Sequence, residues 1–251
     1  MKIGIKNGQE LKKMREAGRI LGLILSELAK MITPEITPLD LDERAEWLMK
    51  KYSVLPSFKG YRGFPNVICT NINTQVVHGI PDRTPLKSGD IITIDCGVIF
   101  EGFHSDSAIH KGVGAIPPEV ERFLRTAEKA LDKGIHAARA GGRVRAISIA
   151  IQQTVEQAGY SVIRDLIGHG IGQKMHEDPP VPNFKDEDPG PILQPGMTIA
   201  IEPIICMGSY KVKTLKDGWT VVTADGSLAT QVEHTIAITP KSAEILSKRP
   251  E

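Results

Sequence analysis

The sequence predicts an α/β chain of the α+β kind, with antiparallel sheet inside and helices outside. A pair of helical patterns is followed by short β-branched runs, and that order occurs twice along the chain. Glu101-Gly102 joins two of these runs by a turn too short for a crossover helix, which implies antiparallel pairing. Four of the runs also carry an acidic residue in their apolar middle, a placement that a purely structural sheet avoids.

The elements follow in order. Asn7 and Glu10 have capping-box spacing, and Leu11, Met14, Leu21, Ile24, Leu25 and Leu28 recur at helical spacing up to about Met31. The cations of this segment, Lys2, Lys6, Lys12, Lys13, Arg15 and Arg19, read as a solvated face. Thr37, Pro38 and Asp40 supply cap, first-turn proline and acid for a second helix to about Lys51. A glycine-rich connection over 59–65 leads to strands at 66–72, 91–100 and 103–116. Pro117-Pro118-Glu119 then opens a long helix through about Ala140, closed by Gly141-Gly142, and a shorter helix runs from about Val144 to Ala158, closed by Gly159. Further strands are expected at 160–167, 197–206, 219–225 and 230–239.

Residues 85–98 laid over 192–205 place Leu86, Gly89, Ile92 and Ile94 on Leu193, Gly196, Ile199 and Ile201, with Asp95 on Glu202. We therefore expect a single domain over 1–251 built from two related halves, roughly 5–112 and 113–247, with a site between them.

Composition narrows the functional classes. An apolar content of 41% over 251 residues allows a large core without disulfides or structural zinc. The net charge of +1 supplies no global field for nucleic acid or membrane. Cys69, Cys96 and Cys206 are odd in number and form no CxxC pair, as expected of a chain in a reducing cytoplasm. The apolar run near 19–32 is broken by Arg19, Glu27 and Lys30, and no signal peptide is visible.

The four embedded acids are Asp95, Asp106, Glu202 and Glu233. No Lys or Arg lies in those strand cores to pair with them. Asp95 and Asp106 flank the tight turn and are expected nearly opposite one another across a hairpin, where like charges repel unless a cation lies between them. The internal repeat makes Glu202 and Glu233 a second such pair. Four carboxylates are balanced by two divalent cations, so the charge pattern proposes a dinuclear metal site.

Of the seven histidines, His104, His110 and His136 read as surface or hydrogen-bonded residues, and His234 points away from Glu233's face of its strand. His78 ends a strand beside a Gly-Ile-Pro turn. His169 and His176 lie in the stretch GHGIGQKMH. That stretch lacks the Lys-Ser/Thr of a P-loop and the spacing of a dinucleotide fingerprint, and its glycines rule out an HExxH helix.

Five segments together, VVHGIP, IDCGVIFEGFHSDSA, GHGIGQKMHEDP, GMTIAIEPI and DGWTVVTADGSLATQVEHT, resemble the methionine aminopeptidases of type I in order and spacing, from about residue 5 to 247. The resemblance implies the pita-bread fold, two pseudo-symmetric halves with a central antiparallel sheet and outer helices. It implies that Asp95, Asp106, His169, Glu202 and Glu233 are the ligands of two divalent ions, Asp106 and Glu233 bridging them. Such an oxygen-rich set with one imidazole suits Co, Mn or Fe(II), with Zn also compatible. The implied activity is removal of N-terminal methionine from nascent proteins and peptides by metal-activated water. Glu202 would act as base, His176 would stabilise the carbonyl, and His78 would contact the scissile amide. Tyr61, Phe64, Cys69, Met175 and Trp219 would line the methionine pocket. Arg62 and Met175 depart from residues common in such enzymes and would shift the preference for the second substrate residue.

Type II enzymes carry a helical insertion between the last two glutamates, which are only 31 positions apart here. The first helix begins too early for the N-terminal extension of eukaryotic type I enzymes, so the chain is similar to the short bacterial form. A monomer in the cytoplasm, acting on nascent chains with ribosome contact and with no membrane or sequence-specific nucleic-acid partner, is the further expectation. The rivals are a prolidase-type enzyme or an aminopeptidase cleaving before proline, which usually add an N-terminal domain, a binding module on the same scaffold, and a metal site that only holds the halves together.

Overall fold

A computed structural model describes residues 3–250; Lys2, read above as part of a solvated face, lies outside them. The helices start where side chains replace missing backbone partners. Asn7 Oδ1 accepts from the Gln9 and Glu10 amides, and Glu10 returns a bond to the Asn7 amide, opening α1 (Gly8–Met31). Thr37 and Asp40 make the same reciprocal cap for α2 (Pro38–Lys51). The second pair is α3 (Pro118–Ala137) and α4 (Val144–Gln157).

α1 and α2 bury one face against a four-stranded antiparallel sheet in which strand Ile91–Phe100 pairs with Leu55–Pro56, Ile68–Ile72 and Phe103–Gly112. Alternation along Ile91–Phe100 sorts its residues. Ile92, Ile94, Cys96 and Val98 join the core under α1 and α2, which leaves Thr93 and Asp95 on the opposite face. The turn to Phe103–Gly112 uses Glu101 and Gly102 at φ 45° and 80°, the positive values of a tight hairpin turn. α3 and α4 bury a second core against strands Thr198–Ile201, Ile204–Cys206 and His234–Ile238. Antiparallel strands thus lie inside and helices outside, and among the described residues no helix is long and apolar enough to cross a membrane.

Four expectations need correction. Lys6 is not solvated: it is buried and pairs with Glu177 at 2.6 Å, because the chain before α1 runs under the turn that carries Gly172. Asp95 and Asp106 are not nearly opposite; Asp95 pairs with Ala108 and Asp106 with Gly97, a diagonal two residues apart on one face. The runs at 197–206 and 230–239 are each broken, at Glu202-Pro203 and at Val232-Glu233. Pro203 cannot donate a ladder bond, and pairing resumes beyond the break in the same register, Ile201 with His234 and Ile204 with Gln231. Only Ser161–Val162 of the run 160–167 is strand.

The stretch GHGIGQKMH supplies strand Gly168–Gly170, paired with Thr198–Ile201 and with Glu177–Val181. At Gly170 an added Cβ would land on the Asp178 carbonyl, and at Gly168 on the Ala200 carbonyl. Backbone packing on both sides of His169 therefore demands glycine.

Candidate functional site

The inner faces of the two sheets meet at the carboxylates. Hydrogen bonds stitch the halves together behind them. The Asp106 amide donates to Thr235 Oγ1, which donates to the Asp106 carbonyl; Ser107 Oγ donates to the Glu233 carbonyl at 2.6 Å, and the Glu233 amide to Ala108. The result is a buried group of Asp95, Asp106, Glu202 and Glu233. Asp106, His169 and Glu233 each offer a ligand atom within 4.8 Å of the others, and His169 Nε2 stands 3.8 Å from Glu202 Oε1.

The electrostatics ask for a cation. Burial pushes Asp95, Asp106, Glu202 and Glu233 above the usual carboxylate range, and for Asp106, Glu202 and Glu233 their neighbours' charges push further. Asp95 Oδ1, Asp106 Oδ1 and Glu233 Oε1 are buried with no protein hydrogen bond. Unpaired buried carboxylate oxygens cost several kcal/mol, about 2 or more each, unless a cation or proton meets them. His169 completes the set. Its Nδ1 faces the Gly170 carbonyl at 2.8 Å, an oxygen that can only accept, so Nδ1 carries the proton and Nε2 presents a lone pair to the carboxylates. Burial drives the imidazole down to about 4, which keeps it neutral at pH 7. The donors, one imidazole and four carboxylates without thiolate, fit hard to borderline divalent metals.

Sequence reasoning missed two groups here. Gln231 Nε2 donates to Glu202 Oε2 at 3.1 Å, and the same side chain lowers the Asp95 carboxyl against the upward push of burial. Arg249 approaches Glu233 from behind and donates to Ser107 Oγ at 3.3 Å, a cation supplied from outside the strand cores. The embedded-acid pattern flags strands, so a glutamine and a residue of the C-terminal segment give no signal.

In front of the carboxylates lies a cavity of about 330 Å³. All five expected pocket residues, Tyr61, Phe64, Cys69, Met175 and Trp219, line it, together with His78, His169 and His176. Phe58 was not expected and packs with Phe64, Cys69 and Met175 in one small apolar cluster, to which Ile80 is added. Trp219 stands edge-on to Phe64 at 5.2 Å and to His78 at 6.4 Å. Burial beside Asp95 holds the Cys69 thiol protonated, which makes it wall and not nucleophile. His78 takes a left-handed backbone, φ 59°, at the end of strand Gln75–Val77. His176 Nδ1 lies 2.8 Å from Tyr61 Oη, and its ring meets that of His169 at 4.3 Å; burial and then Arg62 lower it to about 4.

The histidines expected outside the site are hydrogen-bonded: His104 to Ser57 Oγ, His110 to Thr230 Oγ1, His136 to the Asp132 carbonyl and His234 to Ser247 Oγ.

An antiparallel α/β shell around buried metal-type ligands and an apolar cavity defines a metallohydrolase class, and comparison with known proteins agrees. The sequence model of metallopeptidase family M24 matches residues 12–240, and the chain belongs to that family. Within it, the chain is 52% identical to the methionine aminopeptidase of Clostridium perfringens, covering 97% of this chain and 98% of that one. It is 48% identical to methionine aminopeptidase 1 of Bacillus subtilis, over 97% and 98%. The crystal structure of the methionine aminopeptidase from Thermotoga maritima superposes with a TM-score of 0.97 at 40% identity, covering 99% of this chain and all of that one. The Xaa-Pro dipeptidase of Bacillus anthracis shares the fold, with a TM-score of 0.78 at 22% identity, but only 62% of that longer chain is covered.

Proposed function

We propose that the chain is a methionyl aminopeptidase, a metal-dependent exopeptidase that removes the N-terminal methionine from peptides and nascent proteins in the cytoplasm. The observation that carries this reading is the placement of a buried acid–imidazole cluster directly behind an apolar cavity of about 330 Å³. In this reading Asp95, Asp106, His169, Glu202 and Glu233 would hold two divalent ions, of Mn, Fe(II), Co or Zn type. The ions, when bound, polarise the scissile carbonyl and make water nucleophilic at neutral pH.

The chain's own residues do the rest. Glu202, held by Gln231 on one oxygen, takes the proton from the attacking water. The Tyr61 hydroxyl bonds His176 Nδ1 and is able to donate to it; with the ring proton on Nε2, His176 donates to the carbonyl oxygen as negative charge develops. His169 is a lone-pair donor because a carbonyl faces its Nδ1, whereas the hydroxyl at His176 Nδ1 is compatible with a ring proton on Nε2. His78 stands at the mouth to orient the scissile amide nitrogen. Phe58, Phe64, Cys69, Met175 and Trp219 enclose a flexible thioether side chain by soft apolar contact. The acidic cluster suits a free α-amino group, which restricts cleavage to N-termini.

The test is hydrolysis of Met-Ala-Ser and Ala-Pro peptides by protein stripped with chelator and reloaded with Mn, Fe(II) or Co. Metal-dependent methionine release is the expected result. Selective cleavage before proline would assign the chain to the prolidase-like branch of its fold, and no release with any metal would leave a binding module. A monomer by light scattering and co-sedimentation with ribosomes are the corresponding expectations for its assembly and its nascent-chain substrate.

A further inference from the structure

Arg62 is an exposed cation in the lining of the cavity. It sits in the turn Tyr61–Gly63, between α2 and strand Ile68–Ile72, with its backbone in the left-handed region at φ 49° and ψ 23°. A non-glycine residue is uncommon there, and the Arg62 side chain is exposed. Among the described residues its guanidinium has no ion-pair partner; its contact is the Tyr61 ring, 5.5 Å from the centroid. It nevertheless lines the cavity, on the same wall as Tyr61 and Phe64.

Its position relative to the chemistry follows from Tyr61. The hydroxyl of Tyr61 is bonded to His176, so Arg62 stands one residue from a group that faces the reacting carbonyl, and its charge is felt at that ring. The apolar cluster behind takes the first substrate residue. His78 and His176 are both exposed at the mouth and flank the scissile bond and the second residue. In that reading a third residue would pass beyond the two histidines, toward the exposed side of the cavity to which Arg62 belongs. Asp165, also exposed, lines the cavity from the loop before Gly168–Gly170, so the lining includes one exposed anion besides Arg62.

We propose that Arg62 is a specificity-determining residue that selects substrates by charge, favouring a carboxylate side chain at the third position over a cationic one. This rests on the aminopeptidase reading above. An exposed ion pair formed on binding contributes modestly, so the discrimination is expected to be about two- to fivefold in kcat/KM, falling as salt screens it.

The experiment compares Met-Ala-Asp-Gly, Met-Ala-Gln-Gly and Met-Ala-Lys-Gly on the metal-loaded enzyme and on Arg62→Gln and Arg62→Glu, each ratio normalised to the glutamine peptide. The acidic-to-basic ratio should drop on Arg62→Gln and fall further, below that of Arg62→Gln, on Arg62→Glu. High salt should lower the wild-type ratio towards that of Arg62→Gln. An acidic-to-basic ratio that is the same in wild type and Arg62→Gln overturns the proposal. Absence of methionine release from all three peptides instead overturns the aminopeptidase reading, so the two failures are told apart.

Discussion

Glu202 is held from several directions by partners of different kinds. Its carbonyl accepts from Asn183, one carboxylate oxygen from Gln231, and the other faces His169. Replacing it with glutamine keeps the volume and removes the carboxylate proposed as base. Glu202→Gln should lower kcat by about a thousandfold or more, with the folded structure preserved by circular dichroism. Retained turnover would remove the role assigned to it. His176 offers a complementary test, since it is an exposed hydrogen-bond donor and not a metal ligand in this scheme. His176→Ala should cost about a hundred- to thousandfold in kcat/KM while calorimetric Mn(II) affinity stays near that of the wild type. A parallel loss of metal binding would count His176 among the ligands.

At the scale of elements, the site depends on a strand that only glycine permits. Gly168 and Gly170 let strand Gly168–Gly170 run between two neighbours whose carbonyls occupy the space of a Cβ. Gly170→Ala should destabilise the protein by about 1–3 kcal/mol in urea melts, because the obstacle is backbone that must move. It should also weaken metal binding, since the same shift moves the His169 ring and its Nδ1 partner; unchanged affinity would separate the strand's packing from the ligand's aim. Strands Thr198–Ile201 and His234–Ile238 make the opposite choice. They are separated from the neighbouring strand segments at Glu202-Pro203 and at Val232-Glu233, and the interruption frees both glutamates from the alternation that would otherwise dictate their faces.

For the molecule as a whole, the buried carboxylates set how stability responds to pH once metal is removed. Burial lifts Asp95 to about 7 and raises Asp106, Glu202 and Glu233, so the folded protein binds more protons there than the unfolded chain. Their contribution is present at low pH and lost as pH rises through the folded values. His169 and His176 are shifted the other way, to about 4, and oppose this only below the ordinary histidine range. In chelator, Tm should therefore fall as pH rises through about 7, the folded value of Asp95, and saturating Mn(II) should abolish the fall. A flat or rising Tm in chelator would mean that the acids are compensated by the protein itself, with Arg249 the foremost source.

Much of this was written locally. Both capping boxes, the Glu101-Gly102 turn and the helix face of Met14, Leu21, Ile24, Leu25 and Leu28 depend on neighbours a few residues apart, and a sequence displays those directly. The four acids were legible because charge is costly in apolar surroundings and therefore conspicuous, whereas His169 was singled out as a ligand only by the resemblance of its stretch to a known family. What the tertiary structure alone decided lies across long separations. It set the diagonal offset of Asp95 and Asp106, the burial of Lys6 against Glu177 and the arrival of Gln231 and Arg249 at the acids. It also added Phe58 to the pocket and gave two adjacent histidines different partners at Nδ1. Residue types and their local spacing determine which chemistry the chain can support. Register and packing between distant segments determine which atom faces which, because those contacts exist only once the two halves have closed on each other.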